Sequence, residues 1–215
     1  MWPLCGDFRS GGDPGAVRLS RTAQFSSALR RRPDTAYRNC PPYGWQRQFA
    51  LVRWGLLPSW VKDPKDFTLV INARGESVMD KPAFSAAMKR RRCLVPADGF
   101  YEWKAIGAGK QPYYVRAKSG TPLAFAGLWE TWTGPNGEEM ETAAIVTTRA
   151  NRTLADIHER MPVVVPPDAF NRWLDCANVD DKTAASLIAP ARDDLLEAHE
   201  VSTAGSTGRP TMIRN

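Results

Sequence analysis

The chain has 215 residues, of which 43% are hydrophobic, 10% aromatic and 24% charged, and its formal net charge is +6. That length can bury one sizeable core, and the composition excludes a mostly disordered or fibrous chain. No apolar run approaches the roughly 20 residues that span a bilayer, and the start lacks a basic segment followed by a long apolar stretch, so a soluble, cytoplasmic protein is expected.

The charge is unevenly spread. Residues 1–118 carry 21 Lys+Arg against 9 Asp+Glu, and residues 119–215 carry 8 against 14. A basic half suits a polyanion partner, whereas interleaving of the halves on folding would let the charges pair. Cysteines stand at 5, 40, 93 and 176 with no Cys-x-x-Cys pair, and there are two histidines, so neither a structural metal nor a disulfide is expected.

Residues 9–42 are rich in Gly, Arg, Ser and Pro and read as partly irregular. Phe49 to Trp54 and Leu69 to Ala73 read as strands, with β-branched or bulky apolar residues. Pro82 opens a short helix that ends in Lys89-Arg90. Cys93 to Pro96, Phe100 to Lys104, Tyr113 to Ala117 and Leu123 to Trp129 read as further strands. Gly107-Ala108-Gly109-Lys110 lies between two of them as a hairpin turn, and Pro135-Asn136-Gly137 supplies another before the strand Thr142 to Thr148. Asn151 is placed to cap a helix running towards His158. Val163 to Val165 is predicted as a short strand, and Asp168 to Cys176 and Lys182 to Ala189 as helices. Short strands without regular crossover helices give an α+β fold centred on antiparallel sheet, in a single domain over 1–215.

No phosphate loop, dinucleotide fingerprint, nucleophile elbow or metalloprotease pair occurs. Three polar clusters stand out instead. Asn72-Ala73-Arg74-Gly75-Glu76 follows a strand. Asp98-Gly99-Phe100-Tyr101-Glu102-Trp103 sets Glu102 among three aromatics, where partial desolvation raises a carboxyl pKa towards values useful in acid–base work. Asp156-Ile157-His158-Glu159-Arg160-Met161-Pro162 holds one of the two histidines. Taken singly, each has a structural explanation: an Asn turn, an Arg–Glu pair, a helix-end histidine.

Together these residues resemble the SOS-response-associated peptidase (SRAP) family. The resemblance is carried by Arg53-Trp54-Gly55-Leu56-Leu57-Pro58-Ser59-Trp60, Ile71-Asn72-Ala73-Arg74, Lys81-Pro82-Ala83-Phe84, Gly127-Leu128-Trp129-Glu130 and Thr147-Thr148. The run Arg92-Cys93-Leu94-Val95-Pro96-Ala97-Asp98-Gly99-Phe100-Tyr101-Glu102-Trp103 and the segment Ile157 to Pro162 complete it, and the motifs cover most of residues 49–174. The resemblance implies a barrel-like sheet with peripheral helices, and a sensor of abasic sites in single-stranded DNA that forms a thiazolidine crosslink through an N-terminal cysteine. It implies Cys5 as nucleophile, Asn72 to orient it, Glu102 to shuttle protons and His158 to assist sugar ring opening. Arg74, Arg160 and Lys81 fall among the DNA-contacting residues, and so do Trp54 and Trp60. For Trp54 core packing is the favoured reading. A monomer needing no metal or cofactor is expected, nucleoid-associated when on DNA.

The chain departs from the family pattern in places. Three extra residues follow Met1, so Cys5 reaches the terminus only if translation starts at Leu4 or if residues 1–4 are cleaved off; the first is preferred. Asp7 stands where the family commonly has arginine, the segment Tyr37-Arg38-Asn39-Cys40-Pro41-Pro42 is degraded, and Ala204-Gly205-Ser206 replaces the usual residues after Val201-Ser202-Thr203, leaving the tail from about 204 weakly defined. Two other functions stay open: a thiol peptidase with Cys5 as nucleophile and His158 as base, and a non-covalent single-strand binder whose site has decayed.

Overall fold

A computed structural model describes residues 33–39, 47–202 and 211–212. Cys5, Asp7, Cys40 and residues 203–206 lie outside the described residues.

Seven strands build the first sheet: β1 (Pro33–Asn39), β2 (Arg47–Trp54), β3 (Asn72–Arg74), β4 (Arg92–Ala97), β7 (Leu123–Thr133), β8 (Glu139–Arg149) and β9 (Arg160–Pro162). Its order is β2-β1-β4-β7-β8-β3, with β9 also on β8. Arg53 and Trp54 of β2 pair in parallel with Thr142 and Ala143 of β8, so the pairing returns to its starting strand and the sheet curls into a barrel-like circuit. The second sheet has the order β11-β10-β6-β5, from β5 (Phe100–Ile106), β6 (Gly109–Ala117), β10 (Leu196–Ser202) and β11 (Thr211–Met212). Among the described residues there are four short α-helices: α1 (Ser85–Arg90), α2 (Arg152–Ala155), α3 (Phe170–Leu174) and α4 (Asp181–Ala185).

Strand alternation sorts the core into two layers. Cys93, Val95, Phe125, Ala143 and Ile145 face one way, against Phe100, Val115 and Leu196 of the second sheet. Leu94, Ala126, Leu128, Ala144 and Val146 face the other way, against Met88 of α1 and Trp173 of α3. The order is therefore α1, α3 and α4, then the first sheet, then the second sheet, with apolar filling in both gaps and Leu154 of α2 packed into the inter-sheet gap. Two glycines set the geometry of β5. A Cβ on Gly99 would come within 2.4 Å of the Val115 carbonyl oxygen, and Gly107 turns the β5–β6 hairpin with φ +55°.

Among the described residues one cation is buried. Arg92 is 1% exposed, and its guanidinium donates to the carbonyl oxygens of Trp173 (2.6 Å), Met88 (2.8 Å), Asp175 (3.0 Å) and Val179 (2.7 Å). It fastens α1, β4, α3 and the segment before α4 together.

The α+β fold and its mostly antiparallel, barrel-like sheet agree with expectation. Several boundaries differ. The strand expected over Leu69 to Ala73 is Asn72–Arg74, preceded by a lone bridge from Val70 to Leu56. The Asn151 side chain does cap α2, accepting from Leu154 N, but Ile157 N and His158 N both bond to Leu154 O, so the helix closes after one turn short of His158. The segment expected as a strand over Val163–Val165 pairs as a single bridge, Val164 to Phe125, with Val163 and Val165 bonded to Ala126, Ala124 and Val146, and the named strand beside it is β9 at Arg160–Pro162 on the end of β8. The helices expected over Asp168–Cys176 and Lys182–Ala189 shorten to Phe170–Leu174 and Asp181–Ala185. β1, in a region expected to be partly irregular, and β10 were not anticipated.

Replacing Arg92 with Met is expected to destabilise the protein by about 3 kcal/mol or more, because several buried carbonyl groups lose their donor at about 1–3 kcal/mol each before relaxation. Urea unfolding of the two proteins measures this.

Candidate functional site

The alternation that fills the inter-sheet layer also places the polar residues. On β5, Phe100 points into that layer, so Glu102, two residues on, points the same way further along the edge strand. On β3, Ala73 packs on the helix side, so Asn72 and Arg74 belong to the opposite face, paired with Ile145 and Thr147 of β8. Ile157 packs into the same layer immediately before His158. Asn72, Arg74, Glu102 and His158 thus belong to the face that opens between the two sheets.

Glu102 and His158 are brought together across 56 positions of sequence, with Oε2 3.7 Å from Nδ1. That is an ion-pair separation, longer than a hydrogen bond. The Glu102 side chain is 20% exposed, and burial pushes its pKa up against the opposing pull of His158. His158 Nδ1 also lies 3.1 Å from Arg160 N, which donates to it, and 3.1 Å from Arg160 O. An unprotonated Nδ1 accepts from that N–H, and a protonated Nδ1 donates to that carbonyl. The ring therefore keeps a partner in either protonation state, which suits a group that carries a proton back and forth.

The Arg160 side chain is held elsewhere. Its two terminal nitrogens form a fork on Glu76 at 2.7 and 2.9 Å, and Nη2 also donates to Thr147 O at 2.8 Å. The fork holds the Glu76 carboxyl at about 2, well below its ordinary 4.5. Asn72 and Arg74 are exposed, and Arg74 makes no side-chain hydrogen bond or ion pair among the described residues.

Trp54 and Trp60 part company. Trp54 is half-buried against the inter-sheet layer and its indole N–H donates to Ile71 O at 2.9 Å, a packing role. Trp60 is 59% exposed and stands edge-on to Phe67, ring centroids 5.7 Å apart. The loop beneath it is anchored by Leu57, Val61 and Trp132, whose indole donates to Val61 O at 2.6 Å. Lys81 is exposed ahead of α1 and makes no side-chain hydrogen bond or ion pair with the Glu102–His158 pair among the described residues.

Sequence reasoning passed over the partnership of Glu76 with Arg160, and the roles of Thr147 and Arg149 beside it. The spacing of 84 residues gives no local signal; only the β3–β8–β9 register brings them together. Among the described residues no group of three or more His, Cys, Asp or Glu is arranged to hold a metal ion, and no helix is long and apolar enough to cross a membrane.

The fold and site define a class: a curled antiparallel sheet backed by a second sheet, with a carboxylate–imidazole pair where the layer between them opens. A family profile described as SOS response associated peptidase (SRAP) matches residues 22–206. The chain belongs to the SRAP family. It is 40% identical over 161 residues to "Abasic site processing protein YoqW" of Bacillus subtilis, covering 74% of this chain and 72% of that protein. It is 34% identical over 187 residues to "Abasic site processing protein HMCES" of Xenopus tropicalis, covering 76% of this chain and 55% of that longer protein. Among solved structures, a Bacteroides thetaiotaomicron protein superposes with a TM-score of 0.69 at 31% identity over 72% of this chain and 70% of that one. A phage-related protein of Bordetella bronchiseptica superposes with a TM-score of 0.60 at 33% identity, over 79% and 78% of the two chains. Cys5 precedes the matched residues.

The Glu76 pKa makes a signed prediction. A carboxyl whose pKa is lowered on folding stabilises the fold above its unfolded value of 4.5, and that contribution is lost as pH falls towards about 2. Glu76 is half-exposed, so screening leaves about 1 kcal/mol. Urea unfolding of the wild type and Glu76→Gln is expected to show that gap from pH 5 to 8, and to show it closing below pH 4.

Proposed function

We propose that this protein senses abasic sites in single-stranded DNA and captures them as a thiazolidine through Cys5. Family membership and relatives named as abasic site processing proteins support the reading. The observation that carries it is the Glu102–His158 pair, a partly desolvated carboxyl facing an imidazole whose Nδ1 is satisfied with or without its proton.

The chemistry needs that pair. The ring-opened abasic sugar presents an aldehyde at C1′. An α-amine has a pKa of about 7.7–8.0, so a usable fraction is neutral near pH 7 and attacks the carbonyl carbon. The carbinolamine takes a proton on its oxygen and loses water to give the imine. The Cys5 thiol then adds across C=N: sulfur bonds to carbon, the proton passes to nitrogen, and a five-membered ring closes. One aldehyde, one amine and one thiol give one thiazolidine and one water, with no oxidant or metal required. Both nucleophiles sit on one residue, so ring closure is intramolecular and effective molarity is high.

Glu102, with its raised pKa, gives the proton to the leaving hydroxyl, and His158 moves protons at the sugar oxygen. Asn72 orients the cysteine, Arg74 contacts phosphate, and Trp60 stacks against or wedges between bases. Lys81 adds a backbone contact outside the reacting centre. The protein acts as a monomer, and the reaction requires the free amine of Cys5, hence loss of residues 1–4 or a start at Leu4. A thiol peptidase would use the same Cys5 with His158 as base, without any need for that amine.

An abasic single-stranded oligonucleotide separates these readings. Protein whose intact mass corresponds to a Cys5 terminus is expected to give a slow-migrating species stable to denaturation, absent for Cys5→Ala and for the form retaining residues 1–4. Peptide cleavage by the extended form, without a DNA adduct from the Cys5-terminal form, supports the peptidase instead. Glu102→Gln is expected to slow crosslinking by on the order of 100-fold while leaving non-covalent binding intact. Because the Glu102 pKa lies above 4.5, the wild-type rate should fall on a limb above that pH as Glu102 loses its proton, and the Gln variant should lack the limb. Equal loss of binding and crosslinking would overturn the assignment.

A further inference from the structure

The second sheet sets two carboxylates on either side of one tyrosine. In the β5–β6 register Tyr113 stands directly opposite Glu102, and in the β6–β10 register it stands directly opposite Glu200. Alternation puts all three on the face that opens between the sheets: Glu102 with Phe100, Tyr113 with Val115, and Glu200 with Ala198. Neighbouring strands lie about 4.8 Å apart, so this row crosses three strands within two such steps. One rung further out, Gln111 donates to Val201 O at 2.9 Å and pins the end of β10 to β6.

A tyrosine has one hydroxyl proton to donate. Here it goes to Glu200, whose Oε1 lies 2.7 Å from the Tyr113 hydroxyl. The Glu200 carboxylate also holds the Tyr113 pKa above its ordinary value, so the hydroxyl keeps its proton. Glu102 takes no hydrogen bond from Tyr113 among the described residues. The groups that face Glu102 are His158 from the segment after α2, Tyr113 from β6 and, two positions along its own strand, Lys104. Asn72 and Arg74 of β3 share the opening, whereas the Arg160 side chain is turned to Glu76. A hydrogen-bond donor on the Glu102 carboxyl favours its charged form and opposes the rise that burial gives it. Where the Tyr113 proton goes therefore bears on whether Glu102 has a proton of its own to give.

We propose that Glu200 is a positioning residue for the reaction: it holds the Tyr113 hydroxyl towards β10 and so keeps it from donating to Glu102. The proposal rests on the reading of Glu102 as the group that protonates the leaving hydroxyl. Glu200 touches no reacting atom and acts only through Tyr113.

The test is the titration midpoint of Glu102, read in the full chain by carbon NMR of its side-chain carboxyl. The pH profile of crosslinking to an abasic single-stranded oligonucleotide reads it a second time. Glu200→Ala releases the hydroxyl to Glu102, and the midpoint is expected to fall by about 1 pH unit, the effect of one hydrogen bond to a charged group. The limb of the crosslinking profile moves down with it, so above both midpoints the rate falls about tenfold. Glu200→Gln keeps an acceptor oxygen and is expected to hold the wild-type midpoint, which separates the hydrogen bond from the field of the charge. Tyr113→Phe removes the donor, so adding Glu200→Ala to it should no longer lower the midpoint. An unchanged midpoint in Glu200→Ala, or an equal fall in folded Glu200→Gln or with Tyr113→Phe in place, overturns the proposal. If the wild type forms no crosslink while the midpoint falls as stated, the crosslinking reading fails and the role of Glu200 stands.

Discussion

Strand β8 is the member on which both the fold and the site depend, because its two edges are shared among four other strands. One edge takes Arg53–Trp54 of β2 and then Asn72–Arg74 of β3, both in parallel. The other takes β7 over Gly127–Thr133 and then β9 over Arg160–Pro162, both antiparallel. The first pairings on each edge close the barrel-like circuit, and the second pairings carry the polar residues. A shift of one residue along β8 would turn Asn72 and Arg74 from the open face to the helix side, since side chains alternate with a period of two. Site geometry is thus a by-product of the register that buries Ile145 on one side and Val146 on the other.

The basic bias of the first half is partly consumed by the fold. In the run Lys89-Arg90-Arg91-Arg92, Arg92 is buried on carbonyl oxygens and Arg91 is in contact with Glu130, which itself is nearly buried. Arg116 pairs with Glu197, and in the reverse sense Glu76 pairs with Arg160. All three ion pairs join the basic half to the acidic half. Interleaving therefore accounts for a share of the charge asymmetry.

What the sequence made legible follows from which signals are local. Strands with apolar residues on both faces, such as Cys93 to Pro96 and Thr142 to Thr148, were readable because they sit between two packed layers. β10 was not, since Leu196 and Val201 are its only buried apolar residues and the positions between them include Glu197, His199 and Glu200. β1, Pro-Asp-Thr-Ala-Tyr-Arg-Asn, is equally poor in strand signal and takes its conformation from pairing with β2 and β4. Helix starts were readable from capping side chains at Asn151, but helix ends were not, because tertiary pairing of β9 pulls the chain out of α2. Glu102 could be picked out from its aromatic neighbours alone. The fork between Glu76 and Arg160 could not, because nothing short of the register joins residues so far apart in the chain.

The thiols narrow the chemistry that the Glu102–His158 pair can serve. Cys93 is fully buried within the inter-sheet layer, and the space on its open side is taken by Gly127, where an added Cβ would come within 2.7 Å of Sγ. Cys176 follows α3, on the helix side of the first sheet beside Arg92, away from the face that holds Glu102. Cys93 is walled into a core layer, and Cys176 lies on the helix side of the first sheet, away from His158. A nucleophile for the proposed crosslink therefore has to come from Cys5 or Cys40, and an internal cysteine has an amide nitrogen that cannot form an imine. Only a cysteine at the chain terminus supplies both amine and thiol, so the proposed reaction would depend on what precedes Cys5 as well as on the Glu102–His158 pair.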